Sequence, residues 1–174
     1  MSRSLALIAA LALAGCTTTA GHHYPEATPY AESADAMAAV DAALAEAAAN
    51  DTRVLVVMGA NWCHDSRAMA GWLETPRFAA LIDKHFEPVF VHAGVPQEGR
   101  ADNLEIARRF GVEELPGTPN VLVITPDGRL LNPATATGWR DAASRSEDAI
   151  YDELLSLATR RVDFTPVPGA EIAE

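Results

Sequence analysis

An unbroken apolar run in the middle of the chain limits the possible folds more than any other feature. Residues 54–57 read Val-Leu-Val-Val, and Gly59 ends the run. A strand with one face in water alternates apolar and polar residues, whereas a strand covered on both faces is apolar throughout. Residues 53–58 are therefore predicted to form a central strand with helices on both sides, which is the arrangement of an α/β domain.

Helical segments surround this strand along the chain. Apolar residues recur at helical spacing after Ser33, a good N-cap residue, and Asn50-Asp51 closes this first helix. The same periodicity predicts three later helices: one at residues 63–74, one from Thr75-Pro76 onward, and one at 101–110 with Gly111 as its C-terminal cap. A second strand is predicted at residues 89–92.

The C-terminal third carries a turn signal and a helix-start signal. Asp127-Gly128 separates the apolar run 121–125 from Leu130-Leu131, which predicts a β-hairpin. Ser144-x-x-Glu147 has the pattern of a capping box, and Arg160-Arg161 is placed in the last turn of the helix that would follow. The resulting order predicts a mixed sheet with a parallel part, a terminal antiparallel hairpin and helices on both faces.

The N-terminus has the pattern of an export signal. Arg3 precedes the apolar run 5–14, which is about half the roughly 20 residues that a membrane-spanning helix needs. The sequence Leu-Ala-Gly-Cys at 13–16 resembles the lipobox of bacterial lipoproteins, which implies acylation of Cys16 and a lipid anchor in the cell envelope. Because Thr17 is not Asp, the resemblance favours the outer membrane, with the domain facing the periplasm.

These signals divide the chain into four parts. Residues 1–15 are predicted to be the signal peptide, 16–30 the lipidated Cys and a flexible tether, 31–162 the folded domain and 163–174 a C-terminal tail. The formal charge of −11, without a cluster of Lys or Arg, argues against a nucleic-acid partner.

The chain has two cysteines, so acylation of Cys16 would leave Cys63 as the one free thiol. Cys63 lies where the central strand gives way to a helix, and the N-H groups of a helix N-terminus lower the pKa of a cysteine there. His64 and Arg67 would add positive charge, whereas Asp65 would oppose it or accept hydrogen bonds from the first turn. Cys63 is therefore a candidate nucleophile.

Two short motifs resemble the thioredoxin superfamily. They are Ala-Asn-Trp-Cys-His-Asp-Ser at 60–66 and Gly-Thr-Pro at 117–119, within a resemblance that spans about residues 34–158. The resemblance implies a thioredoxin-like fold, with Cys63 as the nucleophile and Pro119 as a cis proline beside its sulfur. It also implies that Thr118 offers backbone groups to a bound peptide. Trp62 and His64, which flank Cys63, are predicted as further substrate-binding residues, with packing beside the site as the alternative for Trp62.

The sequence departs from that family at two positions that bear on the chemistry. Ser66 stands where the resolving cysteine belongs, so a mixed disulfide on Cys63 would need an external thiol for its release. Val57 stands where thioredoxins carry a buried Asp that serves the resolving thiol. Losing both groups together suggests a site adjusted to one thiol.

Three hypotheses about function follow. In the first, Cys63 carries out thiol-disulfide exchange or isomerase-like chemistry on protein thiols or disulfides of the envelope, and the Ser66 hydroxyl hydrogen-bonds its thiolate. In the second, the domain is a non-catalytic binding module for an envelope protein. The third, metal binding by Cys63 and His64 with His22, His23 or His92, has a weak signal, so neither a metal nor a cofactor is expected. The loop residues Trp139 and Arg140 could contact a partner or pack against the last helix.

Overall fold

A computed structural model describes residues 24–32 and 35–161. The elements in chain order are α1 (Ala36–Asn50), β1 (Arg53–Gly59), α2 (His64–Leu73), α3 (Pro76–His85), β2 (Phe86–His92), β3 (Gly94–Val95), a 3₁₀ turn (Pro96–Glu98), β4 (Arg100–Ala101), α4 (Leu104–Arg109), β5 (Asn120–Ile124) and α5 (Glu147–Thr159). The predicted α/β class and the predicted order of the main elements are confirmed.

The main sheet has three strands in the order β2-β1-β5, and β1 is central as predicted. β1 runs parallel to β2, with Gly59 opposite His92, and antiparallel to β5, with Met58 opposite Asn120. Residues 54–58 are fully buried because each face of the sheet is covered. Leu55 and Val57 pack in the cluster that includes residues of α2, α3 and α5, whereas the alternate residues of β1 pack with α1 and α4.

The predicted hairpin after β5 forms its turn but not a second strand. The N-H of Gly128 donates to the carbonyl of Thr125 at 2.8 Å, and beyond the turn one isolated bridge joins Ile124 to Leu130. The Asn132 side chain then takes over part of the pairing, since its Oδ1 accepts from the N-H of Val123 at 3.0 Å. A side-chain amide replaces strand pairing at this edge of the sheet.

Two predicted helix starts are corrected. α5 begins after Ser146, whose hydroxyl accepts from the N-H of Ala149, so the predicted capping box at Ser144 is wrong. Ser144 lies in a preceding turn, where its hydroxyl donates to the carbonyl of Asp141. α4 begins at Leu104, later than predicted, because residues 100–101 pair with β3 instead.

The other helix ends differ less. α1 is capped by Asp35, which accepts from the N-H of Ala38 at 3.0 Å, while Ser33 lies outside the described residues. Asp51 closes α1 in the left-handed conformation, as its position after Asn50 predicted. Arg160 is the residue after α5, not part of its last turn, and its guanidinium donates to the carbonyl of Leu131 at 2.6 Å.

The prediction that the flexible tether extends to residue 30 is wrong for its last seven residues. Tyr30 is fully buried, and the Asn61 side chain bonds both its N-H (3.2 Å) and its carbonyl (3.0 Å). The N-H of Ala27 donates to the carbonyl of Arg67 at 3.1 Å, and the Pro25 carbonyl lies directly over Gly71 of α2. The buried Tyr30 ring and the backbone contacts of this segment hold it against the domain, although its composition is typical of a linker.

Several predictions concern residues that the structure does not describe. The signal peptide, the lipobox with Cys16, the first part of the tether and the C-terminal tail from residue 163 all lie outside the described residues. Across residues 24–32 and 35–161, no helix combines the length and the apolar character needed to cross a bilayer.

Candidate active site

Cys63 lies where the chain turns from β1 into α2. β1 ends at Gly59, a short turn follows, and Cys63 is the N-cap residue of α2 in an extended conformation. Its side chain makes no capping hydrogen bond to the first turn of α2. Cys63 is a free cysteine that is only 8% exposed.

The cis-proline loop faces this sulfur. The Thr118–Pro119 peptide bond is cis, as predicted from the motif. The Cys63 Sγ donates to the carbonyl oxygen of Thr118 at 3.4 Å, across 55 residues of sequence. The antiparallel pairing of Met58 with Asn120 brings the two together, because it places the start of β5 next to the end of β1.

Ser66 is buried next to the active-site turn. Its hydroxyl has no hydrogen-bond partner among the described residues, and the hydrogen bond expected from it to the Cys63 thiolate stays a prediction. The carbonyl of Thr118 is the acceptor of the Cys63 S-H. The Ser66 Oγ instead faces Gly59, where an added Cβ would lie only 2.9 Å from it.

Tyr30 is a site residue for which the sequence carries no signal. Its hydroxyl donates to the carbonyl of Ser66 at 2.9 Å, and its ring lies 2.6 Å from where a Cβ on Gly59 would be. Burial raises the pKa of Tyr30 far above its usual value, and a negative charge on the nearby Cys63 would raise it further. Tyr30 therefore stays a neutral hydrogen-bond donor behind the active-site turn.

The polar residues around the turn have structural partners. Arg67 donates to the carbonyls of Asn61 and Trp62, both at 3.2 Å, which fixes the turn before Cys63. Asp65 does not accept from the first turn of α2; its Oδ1 accepts from the N-H of Ala143 at 2.8 Å, which ties α2 to the loop before α5. The other carboxylate oxygen lies 3.1 Å from Nε2 of His64.

A shallow groove of about 210 Å³ opens at Cys63. The groove is lined by Cys63 and its neighbour Trp62, by the loop before Pro119, and by one side chain from each of two other loops. These residues are Trp62, Cys63, Gln97, Pro116, Gly117, Thr118 and Arg140. Trp62 is 49% exposed, with its Nε1 donating to the carbonyl of Gly94 at 3.2 Å. His64 lies outside this groove and lines a neighbouring cavity beside Asp65.

Two groove residues had weak or no signals in the sequence. Gln97 lies in the turn of the small β3–β4 hairpin, for which the sequence carries no signal. Arg140 belongs to a loop for which partner contact and helix packing were both open. Trp139 is fully buried under the Arg145 guanidinium, so it packs inside the domain, whereas Arg140 is exposed at the groove and contact with a partner stays a prediction for it.

The histidines do not join Cys63 in a cluster. His92 lies with its Nε2 3.4 Å from Asp102, and His22 and His23 are outside the described residues. Between residues 24 and 161, leaving out 33–34, no three His, Cys, Asp or Glu side chains are arranged to hold a metal ion.

The fold and this site define a class of protein. The sequence of residues 35–126, more than half of the chain, matches the model of a family described as thioredoxin-like, and the chain belongs to that family.

Among solved structures, the crystal structure of a disulphide isomerase from Xylella fastidiosa Temecula1 is similar to this chain. The two are 35% identical with a TM-score of 0.67, over 75% of this chain and 97% of the other. Among curated proteins, none matches the chain.

Proposed function

We propose that this protein is a lipid-anchored envelope protein that exchanges thiols and disulfides through the single thiol of Cys63. The observation that carries the proposal is the position of the Cys63 sulfur. It lies at the start of α2 and 3.4 Å from the carbonyl of Thr118, beside a cis Thr118–Pro119 bond and at the base of a groove. The similarity to a disulphide isomerase supports the same chemistry.

The proposed reaction begins with the Cys63 thiolate. It attacks one sulfur of a substrate disulfide, which forms a Cys63–substrate bond and breaks the substrate S–S bond. The second substrate sulfur leaves as a thiolate with the electron pair and takes a proton from solvent. A thiolate cannot donate to the Thr118 carbonyl, so the Ser66 hydroxyl, which has no partner among the described residues, is the group proposed to donate to the thiolate.

Release requires another thiol, because Ser66 cannot attack the mixed disulfide. If a second thiolate of the same substrate attacks it, Cys63 is returned as a thiolate and the substrate has a rearranged disulfide. The cycle is balanced without any oxidant or reductant, as an isomerase requires. Trp62, Thr118 and Pro119 are the proposed substrate contacts, while substrate binding by the more distant His64 stays a prediction.

The anchor is part of the same proposal. Residues 24–30 pack on the domain, so at most residues 17–23 separate Cys16 from it. Seven residues span no more than about 25 Å when extended. The domain would therefore work close to the membrane surface, on proteins that reach that surface.

The test uses full-length protein in detergent and a substrate protein with scrambled disulfides. Wild-type protein with a trace of small thiol should restore the substrate's native activity, whereas Cys63→Ser should not. The matched control is Cys16→Ser, which removes the other cysteine; it should keep turnover but lose acylation and membrane association. Turnover that survives in Cys63→Ser would refute the proposed chemistry.

One observation favours a second function, that of a binding module. Cys63 is only 8% exposed, which limits access to its sulfur. Under this alternative, wild-type and Cys63→Ser proteins would retain the same envelope partner with equal affinity, and neither would restore the scrambled substrate.

A further inference from the structure

Arg140 is the one charged side chain among the described residues that line the Cys63 groove. The acidic residues Asp65 and Asp141 line a neighbouring cavity that Arg140 also borders, and neither of them lines the groove itself. Both carboxylate oxygens of Asp65 are engaged, one by the N-H of Ala143 and the other by His64. The lining of the groove therefore has a positive charge and no carboxylate, in a chain whose formal charge is −11.

Arg140 also differs from most arginines of the described residues in its pairing. Arg67, Arg77 and Arg145 each lie within 3.3 Å of a Glu side chain. Arg140 makes no hydrogen bond or ion pair with any residue in the described ranges. A guanidinium with five N-H donors and no protein acceptor is available to a ligand.

Gly117 determines where the Arg140 side chain lies. A Cβ on Gly117 would be 2.8 Å from Cδ of Arg140 and 3.9 Å from its Nη1, so the arginine lies across this glycine. Gly117 directly precedes Thr118, whose carbonyl bonds the Cys63 sulfur. The absence of a side chain at 117 thus lets the guanidinium reach the loop that positions the sulfur.

We propose that Arg140 binds a carboxylate next to the substrate disulfide, so that Cys63 reacts preferentially with disulfides that carry an acidic group beside the sulfur. The inference rests on the proposed function and adds a substrate class to it. Two sources have this chemistry, namely an acidic residue next to a cysteine in a polypeptide and a small acidic thiol in disulfide form. The guanidinium would hold the carboxylate by charge-assisted hydrogen bonds and orient the disulfide toward Cys63. The exchange step is unchanged in atoms and electrons.

The first arm of the test compares two small chromogenic disulfides. The disulfide of thionitrobenzoate carries two carboxylates, and the disulfide of thiopyridine is neutral; each releases a coloured thiol when Cys63 attacks it. In Arg140→Gln, the ratio of the anionic to the neutral rate should fall by roughly threefold to tenfold. Arg140→Lys should restore part of that ratio, since it keeps the charge without the planar fork.

Arg129→Gln is the matched control, because it removes the same charge from an exposed turn at the opposite end of the sheet. An equal fall in this control would mean that net charge alone sets the preference, and would overturn the proposal. The proposal would also be overturned if Arg140→Gln left the preference for the acidic disulfide unchanged, both with the chromogenic disulfides and with the peptides described next. If the wild-type protein releases the coloured thiol from either disulfide no faster than Cys63→Ser does, the proposed function itself is refuted.

The second arm identifies the source of the carboxylate. Two disulfide-linked peptides, identical except for Asp or Asn beside the cysteine, are compared by the rate at which their mixed disulfide with Cys63 appears in the mass spectrum. A preference for the Asp peptide that Arg140→Gln removes identifies an acidic polypeptide. A ratio that changes only for the small aromatic disulfide identifies a small acidic thiol.

Discussion

Replacing Tyr30 tests whether the segment before α1 is a structural part of the domain. The Tyr30 ring is fully buried and contacts Phe90 edge-on, with 5.7 Å between ring centroids. A tyrosine buries about 200 Å², which at about 25 cal/mol per Å² gives an upper value of about 5 kcal/mol. Truncation of a buried aromatic residue to Ala typically costs about 3–5 kcal/mol, so we expect Tyr30→Ala to lower the free energy of unfolding by that amount.

Tyr30→Phe separates the hydroxyl from the ring. It removes the 2.9 Å hydrogen bond to the carbonyl of Ser66 and keeps the packing, so a loss of about 1 kcal/mol is expected. Tyr151→Phe is the matched control, because Tyr151 is only half-buried and its ring makes the contacts, with Phe78 and Arg77. It should change stability by less than about 0.5 kcal/mol.

The assay is equilibrium unfolding in urea, followed by far-ultraviolet circular dichroism and extrapolated linearly to water. A total stability of about 5–15 kcal/mol is typical of such domains, so the loss in Tyr30→Ala would shift the midpoint clearly. A decrease in the free energy of unfolding of less than about 1 kcal/mol would refute the argument, because removing a fully buried aromatic ring costs more than that. Tyr30 would then belong to the tether, as its sequence context had indicated.

The same region gives two further predictions. Burial raises the pKa of Tyr30 in the folded state, whereas Tyr30 of the unfolded state ionises near pH 10. The stability that depends on neutral Tyr30 is therefore fully present below about pH 10 and is lost as the pH rises above it. Urea midpoints measured between about pH 8 and 11 should fall less steeply in Tyr30→Phe than in wild type, and equal slopes would contradict this. Ser66→Cys should create a pair that dithiothreitol and oxidant interconvert, seen as a reversible two-proton mass change. A second thiol that stays reduced under oxidant would mean that the buried position beside Gly59 cannot reach Cys63.

The sequence was informative wherever the signal is local. The four-residue apolar run predicted a buried central strand, and β1 is fully buried over residues 54–58. Asn50-Asp51 and Thr75-Pro76 predicted a helix end and a helix start correctly, because capping depends on a few adjacent residues. The Gly-Thr-Pro motif predicted the cis proline beside Cys63.

Signals that compete locally were less reliable. Ser144 and Ser146 both precede Glu147 and could both cap a helix, and the sequence does not say which one leaves the preceding turn. The partner of a polar side chain is harder still to predict, because Asp65 could accept from its own helix or from Ala143, 78 residues away. The structure selects the distant partner, as a result of how α2 and α5 pack together.

The amino-acid sequence by itself determined the α/β architecture and the place of Cys63 at the start of a helix, since periodicity, caps and short motifs depend on neighbouring residues. Only the tertiary structure showed that Tyr30 lies behind the site, that the thiol bonds Thr118 rather than Ser66, and that Arg140 and Gln97 reach the groove. These contacts join residues that are tens of positions apart. They depend on strand register and on the space that Gly59 and Gly117 leave open, and neither is encoded in any short stretch of the chain.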